Sequence, residues 1–294
     1  MKTTLHTSNI TSLKKIYEGK VRDIYEVDDN TMLIVSTDRV SVFDVILPTP
    51  IPEKGIILNN VSNYWFKKFD KLVDNHLTNI SISDLEINDE EYEQIEGRSV
   101  IVKRLKPLPI ESIVRNYLIG SGYSDYLSSG SICNIELPPK LKMASKLPKL
   151  LFTPSSKAEI GSHDVNISFE KMSEVVGKDI SEKIREVSFE IFKKASDYLD
   201  TKNIILADTK FEFGLSHNGN LVLMDEILTS DSSRFWISDS YQEGVSPASL
   251  DKQFIRDYVK SISWNDSMPP PELPEDIIEK TTEKYKVLNK IIMD

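Results

Sequence analysis

Cysteine and histidine are scarce in this chain of 294 residues, and their scarcity excludes several kinds of site. Cys133 is the single cysteine, which rules out a disulfide within the chain and a cysteine-based zinc or iron–sulfur centre. A lone thiol also fits a reducing cytosol. The four histidines, at positions 6, 76, 163 and 217, have no spacing typical of paired metal ligands.

Long apolar runs and an excess of positive charge are also missing. No run of about 18 uninterrupted apolar residues occurs, and the first residues lack a signal-type apolar segment, so we expect a cytoplasmic protein without a membrane partner. The formal net charge of −10 argues against a nucleic-acid partner and against long-range attraction of anions. Any phosphate or carboxylate ligand must therefore be met by local groups of cations.

The first part of the chain reads mainly as β structure. Residues 15–47 are rich in β-branched and aromatic residues, and a helix is expected from about Asn60. The acidic segment 84–97 is expected to be a solvated surface. The segment 99–110 predicts a strand that stops at Pro107. We expect a domain junction there, between domains of residues 1–105 and 106–294.

The second part mixes helices and strands. Residues 111–130 suggest a helix–loop–helix, and residues 137–157 a long loop. Apolar side chains recur at helical spacing within 168–200 and after Pro274, so both segments are expected to be helices. The residues that carry the first pattern are Ile184, Val187, Ile191, Ala195 and Leu199.

Between those helices, residues 204–215 and 221–228 predict a β-hairpin around Asn218-Gly219, a strong turn signal. With those two residues as the loop, Glu212 lies directly opposite Asp225 on a face shared with Lys210 and Asp208. The other face carries Phe211, Phe213 and Met224 toward the core. Two facing carboxylates repel unless a cation lies between them, and their oxygens suit Mg²⁺ with nucleotide phosphates. A solvent-exposed polar face is the alternative, and a wider loop through 216–220 would change the register.

Cations recur inside unusual polar segments. Gly19, Lys20, Val21 and Arg22 lie between two β segments and resemble a glycine-rich hairpin that covers ATP, although these residues alone favour an ordinary charged turn and no Walker A pattern occurs. The other candidate groups are Asp38 with Ser41, Glu111 with Arg115, Ser121 in a glycine-flanked turn, Lys157 with His163 and Asp164, and Ser233 with Arg234. Simple readings remain open, such as a capped turn at Asp38, a helix-surface salt bridge at Arg115 and stacking of Arg234 on Trp236.

Seven segments in order resemble the SAICAR synthetase family, the phosphoribosylaminoimidazole-succinocarboxamide synthases of purine biosynthesis. They cover most of residues 17–259 and read YEGKVRDIYEV, STDRVSVFDVILPTPIPEKG, VRNYLIGSGYSDY, FTPSSKAEIGSHDVNIS, ADTKFEFGL, LMDEILTSDSSRFW and DKQFIRDYV. The chain departs from the common family pattern at Asn116 and Ile119, at Val165 in place of an acid, and at Ser230 in place of proline. None of these is a residue with an expected chemical role.

The resemblance implies an α+β fold, with an N-terminal β-rich domain of kinase- or ATP-grasp-like type that covers ATP, a larger mixed α/β domain, and the active site in the cleft between them. It implies an ATP- and Mg²⁺-dependent ligase that joins the imidazole ribonucleotide carboxylate (CAIR) to L-aspartate. It places Glu212 and Asp225 on magnesium. Nucleotide contacts are implied for Gly19, Lys20, Val21, Arg22, Lys103, Leu105, Lys210 and Glu212. Ribonucleotide or aspartate contacts are implied for Asp38, Ser41, Glu111, Arg115, Ser121, Lys157, His163, Asp164, Ser233 and Arg234.

Chemical roles follow from this expectation. Lys20, Arg22 and Lys210 would stabilise the transferring phosphoryl group, and Asp164 or a substrate phosphate would take the proton of the attacking amine. A kinase-like phosphotransferase and a non-catalytic nucleotide-binding protein remain the alternatives, although no HRD or DFG pattern of protein kinases occurs. The sequence leaves the oligomeric state open, and a monomer is compatible with it.

Overall fold

The computed structural model describes residues 4–157, 164–265 and 268–294, and its fold is mixed α/β. In chain order the strands are β1 (Lys14–Glu18), β2 (Arg22–Glu26), β3 (Thr31–Ser36), β4 (Ser41–Val42), β5 (Val45–Ile46), β6 (Ser99–Lys103), β7 (Lys106–Tyr117), β8 (Ser131–Ile132), β9 (Ile135–Glu136), β10 (Lys146–Phe152), β11 (Ser155–Ser156), β12 (Val165–Asn166), β13 (Ile204–Leu215), β14 (Leu221–Met224) and β15 (Ser233–Ile237). The helices are α1 (Lys54–Lys68), α2 (Asp89–Ile95), α3 (Gly120–Ser129), α4 (Phe169–Val176), α5 (Lys178–Asp200), α6 (Gln253–Ser261) and α7 (Glu275–Met293).

The smaller of the two main sheets has the strand order β1-β2-β3-β6, and each neighbouring pair is antiparallel. Tyr25, Leu33, Val35 and Ile101 from its strands are buried together with Ile10. The β structure expected for residues 15–47 is therefore confirmed.

The larger sheet has the order β12-β11-β7-β13-β14, with β10 paired to β7 and β15 paired to β13. The two long strands β7 and β13 are antiparallel neighbours at its centre. Helix α5 packs on one face of this sheet, and Trp65 of α1 joins Phe192 of α5 and Phe211 of β13 in one buried cluster. The five apolar residues that predict the long helix are all buried in α5, which confirms that prediction.

The C-terminal helices pack against the N-terminal part of the chain. Ile255 and Val259 of α6 and Ile277 of α7 bury against Val42 and Ile51. Helix α7 begins directly after Pro274 with two acidic residues in its first turn, which suits the positive end of a helix dipole. This packing brings the start of α6 close to strands that lie more than 150 residues earlier in the sequence.

Four sequence-based expectations about local structure were wrong. Residues 106–117 form a strand rather than a helix, and this strand runs through Pro107 instead of ending there. Residues 146–152 and 155–156 form strands inside the expected loop. Helix α1 begins at Lys54 rather than near Asn60. The acidic segment 84–97 is mostly exposed, as expected, and contains the short helix α2, capped by Asn88. In β7 the alternate residues Leu108, Ile110, Ser112 and Val114 are buried, as expected for a strand with one face in the core.

No helix in the described part of the chain is long and apolar enough to cross a membrane.

A buried ion pair fixes the turn between β1 and β2. Arg39 donates to Asp23 at 2.7 Å and to the carbonyl oxygens of Gly19 and Lys20 at 2.9 and 3.1 Å. Asp23 also accepts from the backbone N–H and the hydroxyl of Ser8, at 2.8 and 2.6 Å. Burial opposes the charge of Asp23, but the bonds from Arg39 and Ser8 outweigh it and lower the pKa of this carboxyl.

We predict that Asp23→Asn lowers the free energy of unfolding by about 3–5 kcal/mol, because Arg39 is left as a buried charge without its partner. Since the pKa of Asp23 is lowered on folding, its contribution is present above about pH 4 and is lost as the pH falls below that value. Urea unfolding between pH 7 and pH 3 measures both effects. Asp29→Asn, at an exposed turn position, is the control, and equal stability of the two variants at pH 7 would contradict the prediction.

Candidate active site

A large cleft of about 520 Å³ is lined by residues from both main sheets and from α6. The smaller sheet and its adjoining turns contribute Gly19, Lys20, Val21, Arg22, Ser41 and Asp44. The larger sheet and its adjoining loops contribute Glu111, Lys157, Asp164, Lys210, Glu212, Asp225 and Glu226. Many of the residues singled out in the sequence therefore meet in one place, although they come from distant segments.

The turn between β1 and β2 forms one wall of the large cleft. The Gly19 N–H donates to the Arg22 carbonyl oxygen at 2.7 Å, and a Cβ at Gly19 would lie only 3.1 Å from that oxygen. Lys20 forms an ion pair with Asp44. Arg22 forms an ion pair with Asp225 and also donates to Glu226 at 3.1 Å. The turn thus points two cations toward the cleft and holds its backbone close to them.

The polar face of β13 forms the opposite wall. Asp208, Lys210 and Glu212 alternate along this strand, and the register pairs Glu212 with Glu111 of β7. Lys210 donates to Glu111 at 2.9 Å and to Glu212 at 2.6 Å, and Lys157 also pairs with Glu212. Burial disfavours the Lys210 ammonium, but Glu212, Glu111 and Asp225 raise its pKa well above the usual value. Lys210 therefore stays charged and removes the repulsion between the two glutamates.

The predicted register of the hairpin was wrong by one residue. Leu215 pairs with Leu221, so the loop comprises residues 216–220, and Glu212 lies opposite Met224 instead of Asp225. Ser216 stabilises the wider loop, because its N–H donates to the Asn220 carbonyl oxygen and its hydroxyl accepts from the Asn220 N–H. Met224 consequently shares the face of Glu212, whereas Phe211 and Phe213 enter the core as expected.

Asp225 still reaches the large cleft. It follows the end of β14 with a left-handed backbone (φ 71°), and its carboxylate accepts from Arg22 at 3.0 Å. Burial would raise the pKa of Asp225, but Arg22 and Lys210 lower it to about 2, so the carboxylate is ionised at neutral pH. The described residues contain no cluster of three or more His, Cys, Asp or Glu side chains arranged as metal ligands.

A second cavity of about 160 Å³ adjoins the large cleft, and Lys210, Asp231 and Arg256 line both. Its other lining residues include the predicted Arg115, Ser121, Ser233 and Arg234, together with Asp208. Among its described lining residues are four cationic side chains and two carboxylates, a surplus of two positive charges. Such a surplus suits a doubly charged anion.

The arginines of the second cavity are held by a shared carboxylate. Asp208 accepts from Arg115 at 3.0 Å and from Arg234 at 2.6 Å. Arg115 is 2% exposed and also donates to the hydroxyls of Thr153 and Ser121, at 2.9 and 3.0 Å. Arg115 is therefore a buried strand residue rather than part of a helix-surface salt bridge.

Glycine is required at position 120, where φ is +60° and a Cβ would lie 2.4 Å from the Arg234 guanidinium.

The ring that stacks on Trp236 is that of Tyr241, with ring centroids 6.0 Å apart. The guanidinium of Arg234 is directed to Asp208.

Three predicted site residues lie away from both cavities. Asp38 is fully buried, and its carboxylate accepts from the Leu5 and Gly55 N–H groups and from Arg98 at 2.9 Å, so it supports the fold beneath the cleft. Lys103 is exposed and donates to the Asn75 carbonyl oxygen at 2.9 Å, and the half-buried Leu105 packs near Gly214. His163 lies outside the described residues.

Four charged residues of the cavities were missed as individual candidates. Glu226 and Asp231 line the large cleft beside the predicted residues, and Lys252 and Arg256 reach it from the start of α6. Lys54, which is fully buried, pairs with Asp231 at 2.8 Å. The four-residue spacing of Lys252 and Arg256 was a usable signal, since it places both on one side of a helix.

Comparison with known proteins relates the chain to a single family. The chain matches the family model described as SAICAR synthetase over residues 15–271. Among curated proteins named phosphoribosylaminoimidazole-succinocarboxamide synthase, that of Mannheimia succiniciproducens is 53% identical over 275 residues, which are 94% of this chain and 96% of the relative. That of Cupriavidus metallidurans is 51% identical over 291 residues, 97% and 96% of the two chains.

Solved structures give the same picture. A structure described as SAICAR-synthase from Saccharomyces cerevisiae complexed with SAICAR has a TM-score of 0.88 at 39% identity and covers 98% of each chain. A structure described as SAICAR synthetase (Type-2) in complex with ADP has a TM-score of 0.69 at 25% identity and covers 94% of this chain and 96% of that one.

We predict that Asp208→Asn lowers the free energy of unfolding by about 3–5 kcal/mol, because the buried Arg115 and the partly buried Arg234 lose the carboxylate that they share. Urea unfolding at neutral pH measures the change. Asp70→Asn removes an exposed carboxylate from the end of α1 and is the matched control. If the two variants unfold at the same urea concentration, the shared carboxylate does not stabilise the arginines.

Proposed function

The chain belongs to the SAICAR synthetase family, and from this premise we propose how its two cavities bind the substrates. It is an ATP-dependent ligase of purine biosynthesis that joins CAIR and L-aspartate and forms SAICAR, ADP and phosphate. A carboxylate is a poor electrophile, since its leaving group would be oxide. Transfer of a phosphoryl group from ATP to the carboxylate of CAIR would give an acyl phosphate, which the amine of aspartate can attack.

In this proposal the nucleotide phosphates lie in the large cleft beside Gly19, Lys20, Val21 and Arg22. The close backbone of this turn and its two cations are suited to phosphate oxygens, and Lys210 faces them from β13. The ADP complex of a relative supports nucleotide binding in the family. Residues 1–105 would form a nucleotide-covering domain and residues 106–294 the larger domain, with Lys103 and Leu105 in the connector near the adenine.

The carboxylates of Glu212 and Asp225 fit a magnesium ion by their chemistry. Both supply carboxylate oxygens to the same cleft, and Mg²⁺ commonly takes one or two carboxylates with phosphate oxygens and water in the remaining positions. When bound, the ion would neutralise charge on the nucleotide phosphates. Lys157 and Arg22, which now pair with these carboxylates, would then be available to the phosphate groups.

In this proposal the ribonucleotide binds in the second cavity. Its surplus of two positive charges matches the dianionic phosphate of CAIR, and Arg115, Arg234, Ser121 and Ser233 supply donors for that phosphate. Because Lys210 lines both cavities, the carboxylate of a ribonucleotide held there would point toward the nucleotide. A relative complexed with SAICAR supports a site of this kind.

Residues of the large cleft near Lys157 would receive aspartate. Asp164 lines the cleft there, with Ser41 and Glu111 as further polar contacts, and His163 remains a proposal from the family resemblance. Asp164 or a substrate phosphate would accept the amine proton. Every residue of this proposal comes from one chain, so a monomer would suffice, and a cytoplasmic location fits the proposed metabolic role.

We predict that ADP release by the purified protein requires Mg²⁺, CAIR and L-aspartate together. A coupled assay for ADP, run with and without aspartate, measures this dependence, and the absorbance of the product follows the new bond. ADP release at the same rate without aspartate would indicate a kinase-like phosphotransferase. ATP binding without ADP release under any of these conditions would indicate a nucleotide-binding protein.

We predict that Asp225→Asn lowers kcat at least a hundredfold, because the substitution removes a charged ligand from the proposed magnesium site. Glu212→Gln should have a similar effect. Initial rates as a function of Mg²⁺ concentration measure it, and Asp29→Asn controls for the general loss of a carboxylate. Near-normal turnover with an unchanged Mg²⁺ dependence in Asp225→Asn would contradict the metal assignment.

A further inference from the structure

Two cations at the start of α6 have no individual contact in the binding scheme described above, although Arg256 counts toward the positive charge of the second cavity. Lys252 directly precedes α6, and Arg256 follows one turn later. Both line the large cleft, and Arg256 also lines the second cavity. They therefore stand where the two cavities meet.

Lys252 and Arg256 differ from the surrounding cations in their ion pairs. Lys20, Arg22, Lys157 and Lys210 each form an ion pair with a carboxylate of the large cleft. Arg115 and Arg234 share Asp208. Within residues 4–157, 164–265 and 268–294, neither Lys252 nor Arg256 has a carboxylate within 4.0 Å. Arg256 donates to the Gln253 side-chain oxygen at 3.5 Å, a long and weak contact.

Asp231, the carboxylate that most favours the charged form of Lys252, is already engaged elsewhere. Asp231 pairs with the buried Lys54 at 2.8 Å and accepts a hydrogen bond from the Tyr285 hydroxyl at 3.3 Å. Burial, reinforced by the charges of Arg256 and Lys54, lowers the pKa of Lys252 to about 8, although Asp231 and Glu226 favour the ammonium form. An anion bound beside Lys252 would favour its charged form and give both cations a direct ion-pair partner, which neither has among the described residues.

We propose that Lys252 and Arg256 form a carboxylate-binding pair at the junction of the two cavities. This inference rests on the proposed function, which already assigns the nucleotide phosphates to the turn at Gly19–Arg22 and the ribose phosphate to Arg115 and Arg234. A substrate group that lies between those phosphates is a carboxylate, either that of the imidazole or one of aspartate. An ammonium and a guanidinium one helical turn apart can hold both of its oxygens.

The test removes each charge while it keeps the aliphatic stem, in Lys252→Met and Arg256→Met. Lys260→Met, at an exposed position on the same helix, is the matched control. The apparent KM for CAIR or for L-aspartate should rise about tenfold to a hundredfold in both variants, and the KM for ATP should stay close to that of the control. If both carboxylate substrates keep the KM of the control, the pair does not bind them.

Two further measurements distinguish the source of the carboxylate. If the imidazole carboxylate is bound, calorimetry will show that the variants lose affinity for CAIR but not for the same ribonucleotide without its carboxylate. If a carboxylate of aspartate is bound, inhibition by succinate will weaken in parallel with the KM for aspartate. Unchanged affinity for CAIR together with unchanged inhibition by succinate would overturn the proposal.

Lys252→Arg keeps the positive charge, so it distinguishes binding by charge from a purely structural role. It also keeps the proposal testable if the methionine variants do not fold. In the wild type, the KM for the bound carboxylate substrate should increase as the pH is raised past about 8, where Lys252 loses its proton. The charged groups that act on this pKa are Asp231, Glu226, Lys54 and Arg256. Lys252→Arg should keep the neutral-pH KM and lose this rise. A rise that persists in Lys252→Arg would contradict the proposal. Failure of the proposed function itself would be seen separately, as the absence of aspartate-dependent ADP release in the wild type and in Lys260→Met.

Discussion

The antiparallel pairing of β7 with β13 is the constraint on which the rest of the site depends. It places Arg115 opposite Asp208 and Glu111 opposite Glu212, with Lys210 between them on the same face. Like charges would repel across these strands if Lys210 and Lys157 did not bridge them. The other face of β13 is apolar and packed, with Phe211 and Phe213 buried beneath it, so the polar face has a fixed position. The chemistry of the cleft is therefore anchored to the buried core.

Charge pairing explains how an acidic chain prepares a site for polyanionic substrates. The cations of the turn at Gly19–Arg22 and of β13 are held in place by carboxylates, and Arg39 and Asp23 hold the backbone of that turn. Binding of magnesium and nucleotide would exchange these partners. Glu212 and Asp225 would pass to the metal, and Lys157 and Arg22 would pass to the phosphates. Lys252 and Arg256 differ, since neither forms an ion pair with a carboxylate in the part of the chain that the structure describes.

Most of the site residues could be predicted from the sequence, because polar types clustered in segments that also match a known family. The arrangement of these residues in space was harder to predict from the sequence. The segment around Arg115 has apolar residues that fit helical and strand periods equally, and only pairing with β13 decides between them. The hairpin register was missed by one residue because the Ser216 side chain stabilises a wider loop than Asn218-Gly219 requires. Lys252 was missed because its approach to the cleft results from packing of α6 on Val42 and Ile51, a contact between the two ends of the chain.

A crystal structure of the chain with Mg²⁺ and a non-hydrolysable ATP analogue tests the central claim most directly. The account predicts that Glu212 and Asp225 will contact the metal, that Arg22 and Lys157 will leave these carboxylates for phosphate oxygens, and that the phosphates will lie against the turn at Gly19–Arg22. Intact Arg22–Asp225 and Lys157–Glu212 ion pairs, with the metal and the phosphates bound elsewhere, would contradict it.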